Sequence, residues 1–358
     1  MWPFNKNTRY QPAAPALTEH SSATVTAADM VAALPDPVMV IGRDGTVVMA
    51  NDLVKSAIDA DPLGLHLSAT VRAPAVLDAV ADVIAGAAAH HVGYELRFPV
   101  PRGFHAYVAP FGSSGSGMAI IVLRDLTREQ QIERMRADFV ANASHELRTP
   151  LASLSGFIET IQGAARNDEK AQTKFLGLMR SQADRMKRLI DDLLSLSRIE
   201  MNEHVRPNTQ VDLAQVATHV RDVLSGMAKD IGCDLQVTTQ GPLMVLGFRD
   251  ELVQVVQNLV ENALKYAGSG KTVEVDVKRD GAQIALSVKD QGPGIAAEHI
   301  PRLTERFYRV NVQESRSRGG TGLGLAIVKH ILNRHRGRLT IASEIGRGST
   351  FTMRVPSK

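Results

Sequence analysis

Residues 139–161 read Phe-Val-Ala-Asn-Ala-Ser-His-Glu-Leu-Arg-Thr-Pro-Leu-Ala-Ser-Leu-Ser-Gly-Phe-Ile-Glu-Thr-Ile. Within this stretch Leu147, Leu151, Leu154, Ile158 and Ile161 recur at spacings of four and three, the pattern of a helix with one apolar seam. After a break over residues 163–168 a second seam follows in Leu176, Met179, Ala183, Met186, Ile190 and Leu193. Two such helices with a short connection predict an antiparallel hairpin. A lone hairpin leaves its seam open to water, and pairing two hairpins into a four-helix bundle closes it, so a homodimer is expected. His145 precedes the seam residue Leu147 by two positions, which puts its imidazole on the exposed side of the helix.

A solvent-facing neutral imidazole keeps a lone pair near pH 7 and is a competent nucleophile. Glu146, its neighbour, is expected to accept the proton on the other ring nitrogen and so stabilise the cation formed on attack. Pro150 removes one helix hydrogen bond and permits a bend beside the nucleophile. Thr149, three residues beyond Glu146, shares one side of the helix with it; a purely local role, back-bonding to a carbonyl near Pro150, is the alternative. A single surface histidine beside a glutamate would be unremarkable in a chain with 11 histidines. The whole string Ser144-His-Glu-Leu-Arg-Thr-Pro150 resembles the H-box of sensor histidine kinases.

Outward toward the C-terminus, a helix expected over residues 251–267 carries Asn258, Asn262 and Lys265 at i, i+4 and i+7, on one face. Leu252, Val256, Leu259 and Ala263 make the opposite, apolar face, which should sit on a sheet. Asparagine is a middling helix former, so two on one surface imply another use; an amide oxygen suits Mg²⁺ and a lysine neutralises phosphate. An alternating strand over residues 284–290 then ends in Asp290-Gln-Gly292-Pro-Gly294. A carboxylate there can accept an amino hydrogen while the glycines let backbone come close to a base. Gly319-Gly320-Thr321-Gly322-Leu323-Gly324-Leu325 opens a further helix, and glycines before a helix gather N–H groups around phosphate. Between these runs an Arg-bearing stretch over residues 295–318, with Phe307-Tyr308-Arg309, suits a mobile lid.

In this order and spacing the pieces resemble the N, G1, F, G2 and G3 boxes of the histidine-kinase ATP-binding domain, covering residues from about 127 to 356. The resemblance implies ATP and Mg²⁺ as cofactors, with Asn262 as the metal ligand and Asn258, Lys265 and Tyr266 supporting the phosphates. It implies that Asp290, flanked by Gly292 and Gly294, reads the adenine. Gly320, Thr321 and Leu323 would lie in the phosphate loop, with Gly322 and Gly324 as the lid hinge. It further implies a catalytic set of His145, Glu146 and Thr149: autophosphorylation of His145, transfer to a response-regulator aspartate, and a regulator phosphatase activity in which the Thr149 hydroxyl orients water. Within the family, the 139–150 string looks most like phosphate-regulon sensors.

Toward the N-terminus, β-prone runs flank the turn Gly42-Arg-Asp-Gly45, a hairpin signal. Helical sequence to about residue 89 and strands over 92–100, 105–111 and 118–125 complete an α+β domain. This arrangement resembles a PAS sensor, down to Asp125-Leu-Thr-Arg128 before a helix. The expected organisation is multidomain: a flexible tail over 1–27, a PAS-like domain over 28–125, a dimerisation and phosphotransfer hairpin over 126–204, and an α/β sandwich that binds ATP over 205–358. In the last, strands are expected over 235–239, 244–246, 271–278 and 284–290, helices over 213–229, 251–267 and 322–334, and a closing hairpin of 339–343 with 350–355.

Composition narrows the remaining classes. A formal charge of +3, from 41 basic and 38 acidic side chains, does not call for nucleic acid as a partner. The single cysteine, Cys233, excludes an intrachain disulfide and a multi-cysteine metal site. No apolar run approaches the ~20 residues of a membrane helix, although phosphate-regulon sensors usually carry such helices before the PAS domain. Membrane association is not expected from this sequence; the expected location is cytoplasmic, as a soluble sensor or the soluble part of an anchored one. Two rival readings, an ATP-driven clamp on the same nucleotide fold and a sensor whose kinase has decayed, are disfavoured. A clamp has no use for an exposed His145 on a dimer helix, and a decayed kinase would not retain His145, Asn262, Asp290 and the glycines together.

Overall fold

The computed structural model describes residues 26–96, 102–113, 115–311, 315 and 319–358. The tail expected over 1–27 therefore lies almost wholly outside the described residues, as do residues 312–314 and 316–318 at the C-terminal end of the expected lid. The chain divides into two compact units between Ala137 and Asp138.

The first unit is α+β. Helix α1 (Ala27–Ala33) leads to a hairpin of β1 (Val38–Ile41) and β2 (Val47–Ala50). At its turn the Asp44 carboxylate accepts from the N–H and hydroxyl of Thr46, and Gly45 has φ +81°. A Cβ on Gly45 would fall 2.5 Å from the His66 ring, so glycine is required twice over, by conformation and by space. Helices α2 (Asp52–Ile58), α3 (Leu67–Thr70) and α4 (Pro74–Ile84) precede β3 (His90–Leu96), β4 (Arg102–Phe111) and β5 (Met118–Asp125). The expected strand over 92–100 begins two residues earlier than its pattern suggested, and its last residues lie outside the described part. All five strands form one antiparallel sheet in the order β2-β1-β5-β4-β3. Alternation buries Phe104, Ala106 and Val108 against Val76, Val80 and Val83 of α4.

The hairpin comprises α5 (Thr127–Gln162) and α6 (Glu169–Met201). Asp168 caps α6 by accepting the N–H groups of Lys170 and Ala171. Pro150 lies inside α5 and the helix continues through it. Only part of the seam differs from the expected one. Leu151, Ile158, Leu176 and Ile190 stand exposed, but Leu147 and Leu193 pack against the C-terminal core. So do Leu189, Leu196 and Ile199, a second apolar stripe about 100° round α6 from the first.

The C-terminal part is an α/β sandwich. A short β6 (Gln210–Asp212) pairs with β8 (Met244–Leu246); of the two, only β8 was expected. Asp212 caps α7 (Leu213–Ile231), which ends at Gly232 with φ +73°. Strands β7 (Asp234–Thr239), β9 (Thr272–Asp280), β10 (Gln283–Asp290), β11 (Arg338–Glu344) and β12 (Gly348–Pro356) form a sheet ordered β11-β12-β10-β9-β7, antiparallel except where β7 meets β9. Helices α7, α8 (Arg249–Ala267) and α9 (Gly324–Arg334) share one core with its inward rows, Val273, Val275 and Val277 on β9 and Ile284, Leu286 and Val288 on β10. No helix among the described residues is long and apolar enough to cross a membrane.

Candidate active site

On α8 the expected division of faces holds. Leu252, Val256, Leu259 and Ala263 are buried toward the sheet. Asn258, Asn262, Lys265 and Tyr266 face a cavity of about 490 Å³. Asp290 reaches it from the end of β10, Gly294 from the following turn, and Gly320, Thr321, Gly322 and Gly324 from the glycine loop. Two of the expected site residues do not line it. Gly292 sits behind Asp290, its N–H donated to the carboxylate at 2.8 Å, and Leu323 is buried in the core beneath the loop.

Asp290 is 4% exposed, and one carboxylate oxygen accepts the N–H groups of Gly292 and of Ser349 at 3.3 Å. Burial raises its pKa, and those two N–H groups work against the rise. The glycines are spatial requirements. A Cβ on Gly294, at φ +75°, would lie 2.1 Å from the Glu344 carbonyl oxygen; one on Gly324 would lie 2.9 Å from Asn258 Oδ1. The loop is also tied to the lid stretch. Phe307 takes a left-handed φ of +63° and donates its N–H to the Gly322 carbonyl at 2.8 Å. Lys265 pairs with Glu261 at 3.0 Å, so its ammonium reaches the cavity already beside a carboxylate.

His145 is exposed on α5, as its place in the heptad requires. Glu146 is placed differently from the expectation. Its carboxylate is held by Arg185 at 2.8 Å and by Arg309 at 3.0 Å, rather than by the adjacent imidazole. Successive helix residues diverge by about 100°, which turns Glu146 toward the lid stretch when His145 faces outward. Thr149 donates its hydroxyl to the His145 carbonyl at 3.2 Å, the local geometry weighed above.

Phe307 and Arg309 were expected in the lid, but their partners, and the residues of α6 that meet the cavity, were not legible in the sequence. Arg309, which lines the cavity, joins it to Glu146; Phe307 packs on Phe139 with ring centroids 6.0 Å apart, and Arg306 pairs with Glu200. Arg188, Asp191 and Asp192 of α6 complete the cavity wall. Their spacing from Arg185 marks a polar stripe on α6, but nothing local says what that stripe meets.

Residues 135–202 match the family model described as the His Kinase A (phospho-acceptor) domain, and residues 247–358 match histidine kinase-, DNA gyrase B-, and HSP90-like ATPase. The chain is 40% identical over 238 residues to the phosphate regulon sensor protein PhoR of Pseudomonas aeruginosa, which covers 66% of this chain and 54% of that protein. It is 37% identical over 240 residues to the sensor protein kinase WalK of Staphylococcus aureus, covering 66% of this chain and 57% of WalK. The chain thus matches somewhat over half the length of these two relatives. The crystal structure of histidine kinase ThkA in complex with response regulator protein TrrA aligns over 91% of this chain and 96% of its own, at a TM-score of 0.51 and 18% identity, a likeness of fold alone.

Proposed function

This chain belongs to the sensor histidine kinases with a HisKA phospho-acceptor domain, and from that premise we propose that it moves the γ-phosphoryl group of ATP to His145 and then to an aspartate of a response-regulator receiver domain. The observation that carries the reading is the cavity itself. It gathers an amide pair, a lysine, a buried carboxylate and a glycine loop, and its lining residue Arg309 is bonded to Glu146, the neighbour of His145.

In this reading Asp290 accepts the adenine amino hydrogen, and the Gly320–Gly324 backbone N–H groups face the phosphates. Mg²⁺ needs few protein ligands when phosphates supply the rest, so the Asn262 amide oxygen in the cavity wall fits it, with Asn258, Lys265 and Tyr266 beside it. When bound, the ion screens the charge of the β- and γ-phosphates. The His145 ring nitrogen attacks the γ-phosphorus, the bond to the β–γ bridging oxygen breaks, and ADP leaves. Glu146 takes up the other ring proton only after exchanging its two arginines for His145, which makes the ion triad a control on catalysis. Residues 28–125 serve as a PAS-like sensor, and two hairpins pair as a homodimer. Thr149 is the candidate hydroxyl for orienting water in regulator dephosphorylation, once released from the His145 carbonyl.

The test is incubation with γ-labelled ATP and Mg²⁺. Protein-bound label that is acid-labile and alkali-stable is expected, and a His145→Gln protein should bind ATP yet hold none. Label retained by that variant sinks the assignment of His145. Label absent from the unaltered chain as well removes the kinase reading.

A further inference from the structure

Helix α6 does more than complete the hairpin. Arg188, Asp191 and Asp192 stand in the wall of the same cavity as Asn262 and Lys265. The hydroxyl of Thr321, in the glycine loop, donates to Asp192 Oδ2 at 2.6 Å. Its oxygen in turn accepts the Leu323 N–H at 3.3 Å, and its carbonyl accepts from Arg309. A loop that would receive phosphates is thus fastened by its side chain to a carboxylate on another element. Asp192 is an unwelcoming neighbour for further anions. Burial raises its pKa first, the Thr321 hydrogen bond works against that rise, Glu261 and Asp191 add negative potential, and Lys265 offsets part of it.

A polyphosphate seeks the same loop and the same lysine, and it carries several negative charges of its own. We propose that Asp192 is a nucleotide-site residue contributed by the hairpin, and that it opposes the polyphosphate. A triphosphate enters fully only when Thr321 leaves Asp192, so hairpin docking in this arrangement and tight ATP binding exclude one another. The proposal rests on the nucleotide reading of the cavity. It adds that the hairpin sets the affinity for the phosphates and leaves that for the base alone. A carboxylate in this wall has a second possible use, as a ligand for the cation that accompanies ATP, and that use predicts the opposite sign.

Titration calorimetry of the full chain separates the two. Asp192→Asn keeps an oxygen for the Thr321 hydroxyl while removing the charge, and Asp192→Ser provides a second, smaller neutral side chain. Each should bind ATP about tenfold more tightly, the scale of one unit charge a few ångströms away at a nearly aqueous dielectric. The gain should be larger in EDTA than with Mg²⁺, because the cation already neutralises part of the phosphate charge. Adenosine, which has no phosphate, should bind all three proteins alike. Unchanged or weaker ATP binding by both variants overturns the proposal, and weakening confined to Mg²⁺ identifies Asp192 as a cation ligand instead. If neither ATP nor adenosine binds the unaltered chain, the nucleotide reading of the cavity falls first and this proposal with it.

Discussion

At Asn262 two uses of one side chain make different demands. As the outer face of a helix, asparagine is inferior to alanine by about 0.5 kcal/mol. As a cavity wall, its amide oxygen is the group suited to a hard cation. Asn262→Ala is therefore expected to leave the melting temperature unchanged or slightly raised while His145 labelling falls by at least tenfold, as followed by calorimetry and γ-labelled ATP. A lowered melting temperature with normal labelling would return Asn262 to ordinary helix surface. Glu146 illustrates the opposite relation between sequence and use. Its place beside His145 was legible, but its partners, Arg185 and Arg309, come from 39 and 163 residues away.

At the scale of elements, α9 is anchored at its C-terminal end by a buried polar group. The His335 side chain is fully buried; its Nε2 accepts the Phe248 N–H at 3.1 Å, so Nδ1 carries the hydrogen and donates to the Ile331 carbonyl at 2.8 Å. Arg334, from the neighbouring position, pairs with Glu251 and lies over the Phe248 ring, and Glu251 is 3.9 Å from the imidazole. Burial lowers the His335 pKa from its ordinary 6.5, Ile331 opposes the shift, and Arg334 adds to it. The folded state therefore resists protonation that the unfolded chain accepts. The stability this represents is complete above pH 6.5 and is lost as pH falls below it toward the folded pKa. Thermal melts should show the melting temperature dropping between pH 6.5 and 5.5. His335→Gln, at a cost of about 1–3 kcal/mol at pH 7.5, should drop less steeply over that interval. Some slope should persist, because burial also lowers the His330 pKa. An identical slope in wild type and variant would remove His335 from this role.

Over the whole molecule, one protomer leaves an apolar surface that it does not cover. Leu151 is 55% exposed, Ile158 41%, Leu176 57% and Ile190 43%, and beside them lies a groove lined by Leu154, Ala183 and Met186. A continuous surface of this kind on a hairpin is suited to a self-complementary twofold interface. The chain should sediment as twice its 38.7 kDa mass. Ile158→Lys with Ile190→Lys should return it to one mass unit without altering ATP binding. A wild-type monomer at micromolar concentration would dismiss the pairing.

What the sequence determined on its own is what short-range periodicity and turn chemistry can encode. The period of 3.6 placed Asn258, Asn262 and Lys265 on one side of α8 and its leucines on the other. The period of two assigned the inward valines of β9, and Asp44-Gly45 marked a turn whose backbone only glycine fits. Every residue on which those readings depend lies within a few positions of the next, so local sterics suffice. Tertiary structure alone decided which surfaces meet. That β1 closes the first sheet against β5, and that β7 runs parallel to β9, depends on contacts far apart in the chain. The two apolar stripes of α6 show why sequence fell short there. Both satisfy helical periodicity, and only the packed C-terminal core selects the one with Leu189, Leu196 and Ile199, turning Leu193 and Leu147 with it. That same rotation carries Asp192 into the cavity wall and brings Glu146 to Arg309, because a rigid helix that docks one stripe must present the residues on its flanks as well.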